Sequence, residues 1–329
     1  MRKALALLFL GLALAQEVVV YPGFAEIQEP VVLPPAAWVF LGGERLSRIP
    51  QGSLRLLGVE EVERVYQGGV VLFRYRGEAT LRYLYTGLSG EVFYTLEEGR
   101  LTAWARFRLE GEALEAKRLT LLAGEAPLLS PAGKALPQAA FRALEEALPE
   151  APFGLFRYQL EGRKLLPGLT EIPFLKAAVS PERLLRYQAP FSTERLLPLE
   201  RGYRFQAPFP LAPGVLEARE GGFFLGQALM PPTPKGEEAL VFLGRDLEAR
   251  LSRKVERVAE TQEGITYRVE TRLENPYPYP VVLLLSESFP RPFRLDFPGA
   301  TLLPEGYRLQ APLKPQEART FVYRLTLPR

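Results

Sequence analysis

A strict two-residue alternation of apolar and polar side chains is the feature that most constrains how this chain can fold. In residues 265–273 every second position is Ile, Tyr, Val, Thr or Leu, and the positions between them are Thr, Arg, Glu and Arg. The period returns at 321–327 and, more briefly, at 81–85. It is typical of an antiparallel strand with one buried and one wet face. With 28 Gly and 31 Pro separating short runs, the sequence predicts a mainly β protein of antiparallel, β-sandwich-like domains.

Several further segments are predicted as strands. Residues 70–73, 101–109 and 118–122 are candidates, and the apolar run at 281–285 has the length of a buried strand. Residues 247–258 fit both a helical and a strand period. The strong strand that follows this segment favours a hairpin there.

One short helix is predicted near residues 137–148. Pro137 suits a first helical turn, Phe141, Leu144 and Leu148 share one face, and Pro149 ends the pattern. The Pro- and Gly-containing flanks predict a helix and linker at 131–152. The predicted organisation is therefore an N-terminal β domain at 16–130 and a C-terminal β-sandwich-like domain at 153–329.

The first fifteen residues have the pattern of a signal peptide. Arg2 and Lys3 precede an apolar stretch, and a small-x-small sequence places the cleavage site between Ala15 and Gln16. The apolar run is shorter than the roughly 20 residues that span a membrane, and no later segment predicts a transmembrane helix. We expect an exported protein that is periplasmic, envelope-associated or extracellular.

The composition excludes several kinds of chemistry. The chain has no His and no Cys, which removes Ser-His-Asp and Cys-His nucleophiles, thiolate zinc sites and disulfides. It has only two Asp, so the Asp-rich loops that usually bind calcium are missing. No cofactor or metal is predicted. The bias towards Arg, Glu, Pro and Leu resembles that of heat-adapted proteins, although an Arg-rich coding bias explains it equally well.

The charge balance argues against a nucleic-acid partner. The signal peptide carries two of the 41 basic residues, so 39 remain against 38 acidic ones. Arg and Glu are interspersed, whereas attraction to nucleic acid needs a patch or stripe of one sign.

Paired carboxylates are the one enzymatic route that the composition leaves open. The candidates for such pairs are Glu60, Glu61 and Glu63 in one segment, and Glu270 and Glu274 in another. A glycosidase needs two carboxyl groups at a defined separation. The alternative is ordinary surface charge that balances nearby Arg. The run 252–254, Ser-Arg-Lys, is likewise interpreted as a solvated strand face and not as a Ser-Lys nucleophile.

The turn at 275–280 is the least ordinary surface candidate. Its three prolines stiffen the backbone, and Tyr277 and Tyr279 offer two amphipathic rings that could stack on a sugar or pack at a protein interface. The alternative is a hairpin turn whose tyrosines cover the edge of their own sandwich.

A weak internal repeat marks three strand ends. Residues 202–209 and 306–313 share the sequence Gly-Tyr-Arg-x-Gln-Ala-Pro, and 188–191 is a partial copy. Because proline cannot donate to a strand ladder, each strand is predicted to end or to lie at an edge there.

An ordered series of phrases resembles a known bacterial family. Residues 83–94 read YLYTGLSGEVFY, and a strand-like run and the phrase LTLLAG at 119–124 follow. Together with phrases at 224–246 and 267–275, they resemble the family catalogued as domain of unknown function 4139, some members of which are labelled mucoidy-inhibitor-like. The resemblance covers roughly 75–329. It implies a β-rich exported or envelope-associated protein and supplies no catalytic residues.

The function expected from the sequence is therefore non-enzymatic. We expect an exported β protein that acts by binding or assembly, with an envelope protein or a glycan as partner. The alternative is a carbohydrate-binding or glycan-cleaving envelope protein that uses Tyr277, Tyr279 and two glutamates facing each other across about 5 to 9 Å.

Overall fold

The computed structural model describes residues 14–31, 38–42, 44–50, 52–67, 70–76, 79–124, 154–262, 264–290 and 292–328. Of these described residues 70% are in strands and 1% in helix, which confirms the predicted mainly β, sandwich-like class. The helix predicted near 137–148 and the linker at 131–152 lie outside the described residues. Within them, the helical element is α1, Glu44–Ser47.

The chain divides into two compact units. Unit 1 comprises Met1–Thr95, Leu101–Ala177 and Pro210–Val215, and unit 2 comprises Leu96–Arg100, Ala178–Phe209 and Leu216–Arg329.

Unit 1 is built on three sets of paired strands. Its strands are β1 Leu14–Tyr21, β2 Phe24–Val31, β3 Trp38–Gly42, β4 Arg55–Leu57, β5 Glu60–Gln67, β6 Val70–Arg76, β7 Ala79–Tyr85, β8 Leu88–Glu97, β9 Arg100–Leu109, β10 Leu114–Ala123, β11 Phe156–Leu165 and β12 Gly168–Ala178. The largest sheet has the order β11-β10-β1-β2-β7-β4. A second has the order β3-β6-β5, and β12, β9 and β8 lie side by side.

The assignment of β11 and β12 to unit 1 differs from the predicted partition at 131–152. Strand β11 pairs antiparallel with β10 along its whole length, from Leu114 opposite Leu165 to Ala123 opposite Phe156. A partition drawn at the linker would cut this pairing. The linker composition at 131–152 therefore does not coincide with a boundary between the compact units.

The predicted cleavage site lies at the start of β1. This strand is parallel to β10 and antiparallel to β2. Cleavage between Ala15 and Gln16 would remove two strand residues and keep Val18 and Val20, whose side chains are fully buried.

Unit 2 contains a β-sandwich. The remaining strands are β13 Glu182–Pro190, β14 Leu196–Leu197, β15 Glu200–Gln206, β16 Gly214–Glu220, β17 Phe223–Met230, β18 Glu238–Arg245, β19 Arg250–Thr261, β20 Gly264–Glu274, β21 Val281–Ser288, β22 Arg294–Asp296, β23 Thr301–Leu303, β24 Gly306–Leu313 and β25 Ala318–Leu327. The two sheets have the orders β18-β15-β13-β21-β24-β23 and β14-β19-β20-β25-β22. Residues of both sheets share one core, which includes Leu283 and Leu285 from one and Val269 and Leu325 from the other.

The predicted strands are confirmed with their faces. In β20, Val269, Thr271 and Leu273 are buried while Arg268 and Arg272 are exposed. The period-two pattern predicted this division because successive side chains of a strand point to opposite faces. The ambiguous segment 247–258 contributes to β19, which pairs with β20 in the predicted hairpin.

The repeated prolines lie where strands end or lose a neighbour. Strand β13 ends at Pro190, and β15 ends at Gln206, two residues before Pro208. Pro312 lies inside β24, but β23 pairs only with residues 306–308 of that strand. Among the described strands, Pro312 therefore has a partner on one side only, which confirms the predicted edge position.

Candidate functional site

A single buried asparagine holds the turn that carries Tyr277 and Tyr279. Asn275 donates from Nδ2 to the backbone oxygens of Tyr279, at 3.0 Å, and Lys314, at 2.8 Å. Its Oδ1 accepts from the Tyr277 amide at 3.1 Å. Because the prolines remove backbone donors, the asparagine side chain supplies the bonds that define this turn.

The two tyrosines pack on each other and on the sandwich core. Their ring centroids are 5.1 Å apart and their planes 4° from parallel, and both rings are partly buried against core residues. The Tyr277 hydroxyl donates to Asp246 Oδ2 at 2.7 Å. Burial and the Asp246 carboxylate raise the pKa of Tyr277, so this phenol stays a neutral hydrogen-bond donor.

Tyr279 is linked to a second network. The Arg183 guanidinium lies over its ring, 4.1 Å from the centroid, and Arg183 Nη2 pairs with Glu220 Oε1. The Tyr203 hydroxyl donates to Glu220 Oε2 at 2.8 Å. Burial opposes ionisation of Glu220, but the hydrogen bonds from Arg183 and Tyr203 outweigh it and lower its pKa. Arg183 and Tyr203 therefore hold an ionised carboxylate beside the Tyr279 ring.

The segment after Glu220 carries two exposed aromatic rings. Gly221 and Gly222 form the turn between β16 and β17, and their φ angles of +58° and +78° are ones that glycine adopts without steric cost. The next residues, Phe223 and Phe224, expose 76% and 55% of their surface. Glu98 Oε1 accepts from the Gly221 amide at 2.5 Å, which anchors the turn.

A third exposed apolar side chain lies next to the same network. Leu247 follows Asp246 in the sequence and is 84% exposed, while Asp246 Oδ1 accepts from the amides of Glu248 and Ala249. Arg201 donates to the carbonyl of Leu225 at 2.8 Å and to that of Arg245 at 3.4 Å. It thus ties the start of β17 to the end of β18. We call Phe223, Phe224 and Leu247 the apolar end of unit 2.

The candidate pair Glu270 and Glu274 does not have the separation of glycosidase carboxyl groups. Glu270 and Glu274 lie four residues apart on β20, which is about 13 Å along a strand, whereas glycosidase carboxyl groups lie about 5 to 9.5 Å apart. Glu274 also pairs with Arg272 at 3.2 Å. Glu60 and Glu63 are exposed on β5, and the side chain of Glu61 is not among those described.

The most enclosed polar cluster is one that the sequence interpretation missed. Arg253 on β19 and Glu287 on β21 form an ion pair of 2.7 Å, and both side chains are 0% exposed. Glu287 Oε2 also accepts from the hydroxyls of Tyr307 at 2.7 Å and Tyr323 at 2.8 Å. Arg253 donates further to Thr271 Oγ1 at 3.3 Å and to the backbone oxygen of residue 192 at 2.9 Å.

The complete burial of Arg253 and Glu287 favours a structural role for this cluster over a catalytic one. Neither charged side chain reaches solvent, so no dissolved substrate touches them in this structure. Burial, together with Glu287 nearby, raises the pKa values of Tyr307 and Tyr323, and both hydroxyls remain donors to the carboxylate. The arrangement joins the two sheets of the sandwich through polar bonds.

The strand period held a signal for this cluster. Arg253 is in phase with Leu251 on the core face of β19, and Glu287 is in phase with Leu283 and Leu285 on that of β21. The interpretation of 252–254 as a solvated face is correct for Lys254, whose side chain is 71% exposed, and wrong for Arg253. Each of these two strands has one charged residue at a position where the alternation predicts an apolar, buried side chain, and that pattern indicates a buried ion pair.

Among the described residues, no group of three or more acidic side chains is placed to hold a metal ion, and none of the helical segments could cross a bilayer. No protein-family model matches the chain, and no curated protein matches it. The resemblance to the domain of unknown function 4139 remains a prediction.

Proposed function

We propose that the chain is an exported, non-enzymatic β protein that acts at the cell envelope by binding through the apolar end of unit 2. The observation that carries this proposal is the exposure of Phe223, Phe224 and Leu247 beside one polar network. Adjacent exposed apolar side chains with polar surroundings are typical of interaction sites. The signal-peptide pattern at the N-terminus supports action outside the cytoplasm.

The polar network beside the apolar end supports a binding role because it restrains both the turn after β16 and the segment after β18. Glu220 is held by Arg183 and Tyr203, and Asp246 by Tyr277 and two backbone amides. Loops restrained before binding lose less conformational entropy when a partner arrives. The same bonds occupy the carboxylates, which favours a structural role for these acids over a catalytic one.

The tyrosine pair gives less support to the carbohydrate alternative. Tyr277 and Tyr279 stack on each other, and Arg183 lies over the Tyr279 ring. A sugar that stacks on an aromatic ring needs an uncovered ring face. We therefore assign these tyrosines to the support of the apolar end.

Fractionation of cells that produce the full chain tests this proposal. We expect the mature protein to begin at Gln16 and to be retained with the envelope. The triple variant Phe223→Ser/Phe224→Ser/Leu247→Ser should lose that retention. Leu302→Ser is the matched control, because Leu302 is 61% exposed but lies on β23, at the opposite edge of its sheet from β18.

Three results would contradict the proposal. The first is envelope retention of the triple variant equal to that of the wild type. The second is recovery of the uncleaved chain in the cytoplasm. The third is turnover of a glycan or ester by the purified mature protein that a single Glu→Gln substitution abolishes.

A further inference from the structure

We infer that the apolar end of unit 2 docks on the surface of a lipid bilayer, with Phe223, Phe224 and Leu247 as the inserting side chains. This inference rests on the proposed function, since it names the partner of the same surface.

The opposite orientation of two exposed rings on the hairpin of β16 and β17 favours a bilayer as the partner. Phe223 and Phe224 are successive residues of β17, so their rings point to opposite faces of the strand, and both are more than half exposed. A flat protein surface would cover one face of the hairpin and leave the other ring in water. A bilayer surrounds an inserted hairpin and buries both rings.

The area of the apolar end also favours a bilayer. Taking ~200 Å² for a whole phenylalanine and slightly less for leucine, the exposed parts of the three side chains amount to ~400 Å². A stable interface between folded proteins buries about 800 Å² on each partner, of which ~450 Å² is apolar. Phe223 and Phe224 cannot both contribute to one such face, because their rings point to opposite faces of the strand. Insertion into the boundary between headgroups and acyl chains has no such threshold, because its strength grows with the apolar area that enters.

The charges around the apolar end indicate how the bilayer would be recognised. We counted the charges of segments 217–224 and 245–248 and of the side chains that bind them. There are four arginines and five acids: Arg183, Arg201, Arg219, Arg245, Glu98, Glu217, Glu220, Asp246 and Glu248. Their sum is −1, so anionic headgroups gain no net attraction. Binding should therefore depend on the apolar side chains and vary little with salt or headgroup charge.

The supporting tyrosines suit the headgroup region. Tyr277 and Tyr279 each combine a packed ring with a hydroxyl, and Tyr277 is bonded to Asp246, the residue before Leu247. Aromatic rings with a polar tip are enriched at the level of lipid headgroups. Phe and Leu would enter the acyl boundary while the tyrosines stay above it.

The test is flotation of the mature protein with vesicles of phosphatidylcholine alone and of phosphatidylcholine with phosphatidylglycerol. We expect comparable binding to both, with little change at roughly 1 M salt, where charge interactions are screened. The triple variant should reduce the bound fraction about ten-fold, and Leu302→Ser should not change it. Circular dichroism of each variant shows whether it is folded.

A local probe covers the case in which the triple variant fails to fold. In Phe223→Trp, the indole emission should shift to the blue with vesicles and be quenched by brominated lipid acyl chains, whereas Leu302→Trp should show neither change.

Three results would overturn the inference. They are no flotation of the wild type, equal flotation of the folded triple variant, and binding that occurs only with phosphatidylglycerol and disappears at high salt. If envelope retention in cells depends on the apolar end while vesicles are not bound, the partner is an envelope protein or a glycan and not the bilayer. The proposed function then stands and the lipid inference fails.

Discussion

Unit 2 contains two networks of the same chemistry in two different environments. In each, a glutamate accepts hydrogen bonds from an arginine and from at least one tyrosine hydroxyl. Glu287 binds Arg253, Tyr307 and Tyr323 with both charged side chains 0% exposed. Glu220 binds Arg183 and Tyr203, and its ion pair has side chains 34% and 35% exposed.

Burial, and not the list of partners, sets how much each bond contributes to the stability of the fold. Two charges inside a core have lost their hydration, so removal of one leaves the other uncompensated. A pair at the surface remains partly hydrated and screened, and its removal costs little. The buried network therefore stabilises the fold, and the exposed one can tolerate change at the binding surface that we propose.

The largest effect is expected from Arg253→Met, which leaves Glu287 buried without a cation. We expect the free energy of unfolding, measured by urea denaturation, to fall by about 3 to 5 kcal/mol. The double variant Arg253→Met/Glu287→Gln should recover most of the loss, because the neutral amide oxygen still accepts from the tyrosines. A loss below about 1 kcal/mol in the single variant would show that the two networks are equivalent.

A matched pair of tyrosine variants compares the networks bond by bond. Tyr307→Phe removes one donor to the buried Glu287 and should cost about 1.5 to 3 kcal/mol, the range for hydrogen bonds to charged groups. Tyr203→Phe removes the donor to Glu220 and should cost less than about 1 kcal/mol, because water can replace it. Denaturation of both variants under one condition measures the difference, and equal costs would contradict the expectation that burial sets the contribution of each bond.

Alkaline pH should weaken the fold through the buried tyrosines. Burial raises the pKa values of Tyr307 and Tyr323 above the ordinary value of 10.0, so the unfolded chain loses these protons first. Their contribution to the free energy of unfolding is fully present below about pH 10. Above that pH it declines by about 1.4 kcal/mol per pH unit for each tyrosine. Unfolding curves at several pH values should show a shallower decline for Tyr307→Phe, and an unchanged slope would contradict this account.

The smallest effect is expected from Arg183→Met, the counterpart of Arg253→Met. The free energy of unfolding should fall by about 0 to 1 kcal/mol, and by less in high salt, which screens the ion pair. Because the fold lowers the pKa of Glu220, the contribution is present above the unfolded pKa near 4.3 and is lost as the pH falls and the carboxylate is protonated. A loss as large as that of Arg253→Met would mean that Glu220 behaves as a buried charge.

The candidate site was predictable in part. The sequence directed attention to Tyr277 and Tyr279, and the structure places both in the polar network of unit 2. The sequence did not indicate that Phe223, Phe224 and Leu247 form a group. Residues 223 and 247 come from different segments of the sequence, which adjoin because β17 and β18 contact each other and the Arg201 side chain bonds to both.

The two-residue period predicted the β class and the buried face of most strands, because it is a local property of each segment. The composition likewise indicated which chemistry the chain lacks. Neither predicted that Arg253 and Glu287, 34 residues apart, meet between two sheets, or that two separate segments bring Phe223 and Leu247 to one end. These contacts depend on which strands pair and in which register, and that outcome is set by the packing of the whole core.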